Sequence, residues 1–160
     1  MIILGPGSLY TSVIPNLLVD GIVDAIRESD ALKVYVCNVM TQEGETEGYT
    51  VADHIKAIFE HSVPGLFHVC LTNSSPIPKG VAARYAEEGA ELLVCSRDEA
   101  AELGVEIVDR PVATVKNGYV RHHPGHLARE LILLHAERSV RIAGERFDYR
   151  DDTYQVEHRT

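Results

Sequence analysis

Ile2-Ile3-Leu4-Gly5-Pro6-Gly7-Ser8-Leu9-Tyr10-Thr11-Ser12 leaves a short apolar run, passes through a loop with two glycines and enters a segment of helical composition. A strand that feeds a helix through such a turn is the opening step of a β-α-β unit. The same alternation recurs along the chain. Apolar runs at 33–38, 66–71, 91–95 and 106–109 predict further strands, and continuous Val, Leu and Ile predict strands covered on both faces. Segments 12–28, interrupted near Pro15 and Gly21, then 50–61, 78–88 and 98–103 carry helical period. The reading is an α/β fold with a mostly parallel sheet.

Start and stop signals sharpen several elements. Thr50 followed by Asp53 has the spacing of a capping box with an acidic residue in the Glu position, and Ile55, Ile58 and Phe59 then form one apolar face. Asn117-Gly118 readily takes positive φ angles, so 113–115 and 119–121 predict a small hairpin. A last helix is predicted over 124–138, with Pro124 at its first position and Leu127, Leu131 and Leu134 on one side. This divides the chain into a domain over 1–138 and a polar, charge-mixed tail over 139–160 that is mobile or docks on a partner. The first strand has nothing upstream to complete a doubly wound sheet, so the sequence reads as truncated at its N-terminus.

Composition narrows the function classes. The 160 residues suit one domain, and 45% apolar with 24% charged residues is ordinary globular usage. A formal net charge of −9 argues against a non-specific nucleic-acid binder, since displacing phosphate counterions needs Lys and Arg. It leaves room for a small anionic ligand held by backbone N–H groups. Cys37, Cys70 and Cys95 each lie in an apolar run without metal-ligand spacing and read as reduced core residues. No secretory signal opens the chain and no apolar stretch approaches the roughly 18 residues of a membrane span, so the expected location is the cytoplasm.

The 5–12 loop carries the equipment of a phosphate site. Gly5, Pro6 and Gly7 let a ligand approach the backbone, Ser8, Thr11 and Ser12 supply hydroxyls, and the helix start supplies unpaired N–H groups. A plain capped turn is the alternative. It is not a P-loop, because no Gly-Lys-Ser/Thr follows, and Tyr10 stands where the dinucleotide fingerprint has its third glycine. The 38–48 loop follows the end of the next predicted strand, where open α/β sheets form their crevice. Asn38, Met40, Thr41 and Gln42 lie on it; Asn38, Thr41 and Gln42 offer paired donors and acceptors suited to a base or sugar edge, and Glu45 or Glu47 could accept hydroxyl protons. A solvated acidic loop is the competing reading.

Asp53 reads as a helix cap, against a proton-transfer role for neighbouring His54. Asn73-Ser74-Ser75-Pro76 is a polar turn or a third side of the crevice. Arg121-His122-His123-Pro124, with His126 beyond, reads first as a surface histidine cluster, next as an Arg121 contact to an anion, and last as a zinc site. Consecutive His side chains point apart, and no Cys or carboxylate stands at ligand spacing.

Four runs carry a resemblance: Leu4-Gly-Pro-Gly-Ser-Leu-Tyr-Thr-Ser-Val-Ile-Pro-Asn-Leu-Leu18, Val34-Tyr-Val-Cys-Asn-Val-Met-Thr-Gln-Glu-Gly-Glu-Thr46, Asp53-His54 and Arg121-His122. They resemble the gluconeogenesis-factor family, whose relatives include the CofD-like 2-phospho-L-lactate transferases, and the likeness extends more weakly to about residue 137. The resemblance implies a Rossmann-like three-layer fold, a cytoplasmic location, a bound nucleotide or nucleotide sugar such as uridine diphosphate N-acetylglucosamine, and a role in carbon metabolism and cell shape. The family carries an N-terminal half whose Gly-Gly-Gly-Thr-Gly type loop begins the nucleotide site. This chain therefore corresponds to the C-terminal part, with a site to be completed by another chain or segment. His123 stands where the family pattern has Asp, and is expected to cap the next helix less well.

The expected function is a nucleotide-sugar-binding regulatory protein, more a factor than an enzyme. Its expected ligand contacts are Gly5, Pro6, Gly7, Ser8, Thr11 and Ser12 on the first loop, Asn38, Met40, Thr41, Gln42 and Glu45 on the second, and Arg121. No catalytic residue, metal ligand or certain cofactor is assigned, and a homo-oligomer is expected to cover the exposed edge. One alternative is a transferase that moves 2-phospho-L-lactate from a nucleotide to an acceptor with a divalent cation, for which Glu45, Glu47 and Asp53 are the candidate carboxylates. Another is an assembly module that has lost its ligand.

Overall fold

The computed structural model describes residues 1–143; the predicted tail falls outside the described residues from 144 onward. Four parallel strands, β1 (Ile2–Leu4), β2 (Lys33–Val36), β3 (Val69–Asn73) and β4 (Glu106–Arg110), lie in the order β1-β2-β3-β4. Val34 sits opposite Ile3 on one side and Val69 on the other, and Val69 sits opposite Glu106. The helices between them are α1 (Ile14–Leu17), led by a wide π-type turn over Leu9–Val13, then α2 (Ile22–Glu28), α3 (Val51–Glu60), α4 (Lys79–Glu87) and α5 (Arg97–Glu102). A hairpin of β5 (Ala113–Lys116) and β6 (Tyr119–His122) follows, and α6 (Pro124–Ala143) closes the described chain beyond the predicted end at 138.

Both faces of the sheet are covered at its centre, which is why β2 and the start of β3 read as apolar runs, whereas Ile3 of edge strand β1 stays exposed. Side chains alternate across a strand. Tyr35 and Cys37 of the β2 region, Cys70 of β3 and Ile107 of β4 pack with Leu9, Val13, Ile55 and Ile58 under α1 and α3. Val34, Val36, Val69, Leu71 and Val108 face the other way, against Leu127, Leu131 and Leu134 of α6. The result is the Rossmann-like α/β arrangement, a sheet between two helical layers. A smaller cluster of Met40, Tyr85, Ala90, Ala113 and Val120 joins α4 to the hairpin.

Local signals act as their chemistry dictates. Thr50 Oγ1 accepts the Asp53 N–H at 3.2 Å while Asp53 Oδ2 accepts the Thr50 N–H at 2.9 Å, so the capping box is complete. The Thr50 N–H bond also holds the Asp53 carboxyl below its ordinary range. Asn117 and Gly118 both have positive φ, 52° and 76°, as a two-residue hairpin requires.

Three expectations need correction. Segment 91–95 is not a sheet strand: it runs beside residues 39–41, bridging Met40 and Leu92 and bonding Leu93 N–H to the Val39 carbonyl. Its apolar side chains split, with Leu93 packed inward while Leu92 (43%) and Val94 (65%) stay exposed. Cys95 is exposed too, unlike the buried Cys37 and Cys70. β3 starts later than predicted, since Leu66 and Phe67 are buried in the approach to the strand. Among the described residues, no single helix is long and apolar enough to cross a membrane.

Candidate functional site

Gly5 ends β1 with φ +77°, and a Cβ there would sit 2.9 Å from the Val36 carbonyl oxygen, so only glycine lets the first loop pass this close to β2. Gly7 is confined less strictly, with a virtual Cβ 3.0 Å from that of Ser12. The chain then turns into the helix on two buried anchors, Leu9 and Val13. The Ser8 carbonyl accepts the N–H groups of Ser12 and Val13 at 2.9 and 3.0 Å.

The second loop is tied down from several sides. Thr41 N–H donates to the Glu91 carbonyl at 2.7 Å, and Thr41 Oγ1 accepts the Glu91 N–H at 2.8 Å, so this buried threonine clamps the loop to segment 91–95. Buried Thr46 accepts the Gln42 N–H at 2.9 Å. Glu45 reaches across to the first loop, where its carboxylate accepts the Tyr10 N–H at 2.8 Å, the Thr11 N–H at 3.2 Å and the Ser8 hydroxyl.

These loops meet a third wall around a cavity of about 660 Å³ at the carboxyl ends of β1 and β2. Pro6, Gly7 and Ser8 form one side, and Asn38, Met40, Thr41 and Gln42 form the floor. The opposite side comes from Tyr85, Glu88 and Ala90 around the end of α4, and from Tyr119, Arg121 and His122 on β6. Tyr85 Oη accepts the Val120 N–H at 2.9 Å and fixes hairpin to helix. The Tyr119 ring has guanidinium carbons of Arg84 and Arg121 at 4.8 and 5.3 Å from its centroid, a cation–π arrangement. His122 contacts the Cys37 backbone, and burial pushes its imidazole below the ordinary range.

Eight of the expected contacts therefore line one cavity: Pro6, Gly7, Ser8, Asn38, Met40, Thr41, Gln42 and Arg121. Gly5, Thr11, Ser12 and Glu45 do not line it; Gly5 and Glu45 shape the wall from behind. Asn73 is occupied elsewhere, its Oδ1 accepting from Ser75, Val112 and Ala113, so the third side is the hairpin and α4. Sequence reasoning missed Tyr85, Glu88 and Tyr119, and no local pattern marks them. His54 is fully buried behind the loops, with Nδ1 2.9 Å from the Thr50 carbonyl and its ring edge-on to Tyr49. His123 does cap α6: its Nδ1 accepts the His126 N–H at 3.2 Å. Among the described residues, no group of three His, Cys, Asp or Glu side chains is placed to hold a metal ion.

A parallel sheet with a crevice at its strand ends, one lip a glycine loop that opens a helix, defines a Rossmann-like α/β unit. The family described as 2-phospho-L-lactate transferase CofD matches residues 1–113, and the chain belongs to that family. It is similar to the gluconeogenesis factor of Halalkalibacterium halodurans, 43% identical over 132 residues that make up 82% of this chain and 41% of that protein. The gluconeogenesis factor of Bacillus subtilis is 42% identical over 82% of this chain and 42% of its own length. A crystal structure of a UPF0052-family protein from Bacillus halodurans matches with a TM-score of 0.78 and 44% identity, over 82% of this chain and 42% of that one. The chain thus spans about two fifths of the length of these relatives.

Proposed function

We propose that this chain is the nucleotide-sugar-binding part of a cytoplasmic regulatory protein, with uridine diphosphate N-acetylglucosamine or a close analogue as ligand and carbon metabolism and cell shape as its field of action. The observation that carries the reading is convergence: three separated stretches, two of them glycine- and amide-rich, line one cavity of about 660 Å³, within the range of small-molecule sites. Arg121 and the loop N–H groups supply phosphate contacts, Tyr119 offers a ring face for a base, and Asn38 and Gln42 present paired donors and acceptors. The relatives' name, gluconeogenesis factor, fits a regulator. A homo-oligomer belongs to the proposal, supported by exposed Ile3 on edge strand β1 and by Leu18, Val19 and Ile22 nearby in sequence; sedimentation at rising concentration checks it.

The family description favours a second reading, a phospho-acid transferase assisted by a divalent cation. The carboxylates it needs are engaged elsewhere in this chain. Glu45 is bonded to the first loop, Glu47 accepts the Gly44 N–H at 2.7 Å, and Asp53 caps α3 and pairs with Lys56. Calorimetric titration with uridine diphosphate N-acetylglucosamine, with and without Mg²⁺, separates the readings. Saturable binding without turnover, lost in Arg121→Ala, is expected. Product formation from a nucleotide-activated phospho-acid donor, its acceptor and Mg²⁺ would move the assignment to the transferase, and no binding would remove the nucleotide sugar.

A further inference from the structure

Glu45 lies behind the cavity wall yet bonds to a residue that lines it. Its Oε1 accepts from the Tyr10 and Thr11 N–H groups, its Oε2 accepts from the Ser8 hydroxyl, and Thr11 Oγ1 lies 2.7 Å from Ser8 Oγ. An ionised carboxylate only accepts, so the bond to Oε2 uses the single proton of Ser8. Thr11 must then be the donor in its contact with Ser8. The direction of the chain is fixed as Thr11 to Ser8 to Glu45. A hydroxyl oxygen has two lone pairs. One takes the Thr11 proton, and the other remains on a residue that faces the cavity.

We propose that Ser8 reads a hydrogen-bond donor on the ligand, a sugar hydroxyl or amide N–H, through this remaining lone pair, and that Glu45 is the positioning residue that sets its polarity. The inference rests on the nucleotide-sugar reading and gives that site a division of labour. Ionised phosphate oxygens only accept, so a Ser8 hydroxyl whose proton is committed to Glu45 offers them nothing, and the nearby carboxylate repels them. The N–H groups of Gly7, Ser8 and Leu9, which have no partner among the described residues, and Arg121 are left for the phosphates. The site selects the sugar through a hydroxyl that a sequence motif would assign to phosphate.

The test is calorimetry of the wild-type chain, Ser8→Ala and Glu45→Gln with two probes, uridine diphosphate and uridine diphosphate N-acetylglucosamine. Ser8→Ala is expected to weaken the sugar nucleotide about tenfold and leave the plain diphosphate within about twofold. Glu45→Gln keeps the shape but puts an amide beside Ser8 and frees its proton. Affinity for the sugar nucleotide then falls while that for the diphosphate holds or rises, an inversion that loosened structure would not produce. If Glu45→Gln fails to fold, Ser8→Ala decides alone. Equal losses for both probes, or no loss in Ser8→Ala, overturn the inference and leave the nucleotide-sugar reading standing. A wild-type chain that binds neither probe overturns both.

Discussion

Across the cavity, the wall formed by the 5–12 and 38–48 loops and the wall formed by α4 and the hairpin are built from different materials. The loop wall is held by backbone: Gly5 pressed against the Val36 carbonyl, Thr41 clamped to Glu91, and Glu45 bonded to two N–H groups and a hydroxyl. The hairpin wall is held by side chains: Tyr85 bonded to Val120, Arg84 donating to the Gly118 carbonyl, and a half-exposed Tyr119 flanked by two guanidinium groups. The bonds inside the loop wall set its distances, and the Gly7, Ser8 and Leu9 N–H groups and one Ser8 lone pair are what it keeps for a ligand. Exposed rings and guanidinium groups contribute little to folding and much to a ligand. The difference predicts that changes to the bonds behind the loop wall cost the fold, while changes to the exposed groups of the hairpin wall cost mainly the ligand, and substitutions on each side should separate the two.

The largest effect is expected at Gly5. Alanine there must adopt φ +77° and press its methyl on the Val36 carbonyl, so Gly5→Ala should cost about 2–4 kcal/mol in urea unfolding. Glu45→Ala comes next. It leaves the Tyr10 and Thr11 N–H groups and the Ser8 hydroxyl without their shared acceptor, a loss of about 1–3 kcal/mol, with faster amide hydrogen exchange at Tyr10 and Thr11 as the local readout. On the opposite wall, Tyr119→Ala removes a side chain 44% exposed and should cost folding less than about 1 kcal/mol. Affinity for a nucleotide ligand should nevertheless fall about tenfold through lost stacking. Should Tyr119→Ala destabilise the fold as much as Glu45→Ala, the two walls do not differ as argued.

The sequence is most readable where one local rule decides the outcome. A strand covered on both faces needs consecutive apolar residues, and β2 announces itself through Val34, Tyr35 and Val36, with shorter apolar runs marking β1 and β4. Thr50 with Asp53, and Asn117 with Gly118, fix a helix start and a turn by chemistry within four residues. Segment 91–95 has the composition of a buried strand and misleads, because whether Leu92 and Val94 are covered depends on what packs there, and nothing among the described residues covers them. The convergence of the first two loops follows from the rule that crevices form at strand ends. The third wall does not, since the Tyr85 to Val120 bond spans 35 residues. Glu45 is the sharpest case. As a loop carboxylate it reads as a ligand contact, and only a fold that brings residues 8–11 to its side shows it bonded within the chain.

The smallest effect is a pH dependence, and it again sorts by wall. His54 sits behind the loops and His122 on the hairpin wall, each with Nε2 buried and without a partner among the described residues. Burial is the main cause that pushes both below the ordinary 6.5. Above that value both histidines are neutral whether the chain is folded or unfolded, and they contribute no slope. As pH falls through 6.5 the unfolded chain takes up protons that the folded chain resists, so stability declines until the folded pKa values are passed. Thermal melts between about pH 7.5 and about pH 5, above the range where carboxylates titrate, should show the midpoint falling toward acid. His54→Gln should flatten that slope, because the fully buried ring gives up most on charging. His122→Gln should flatten it less, and should instead reduce the pH dependence of ligand affinity, since His122 faces the cavity. Equal flattening of stability by both, with affinity unchanged in pH dependence, would place His122 with the scaffold and confine recognition on that wall to Tyr119 and Arg121.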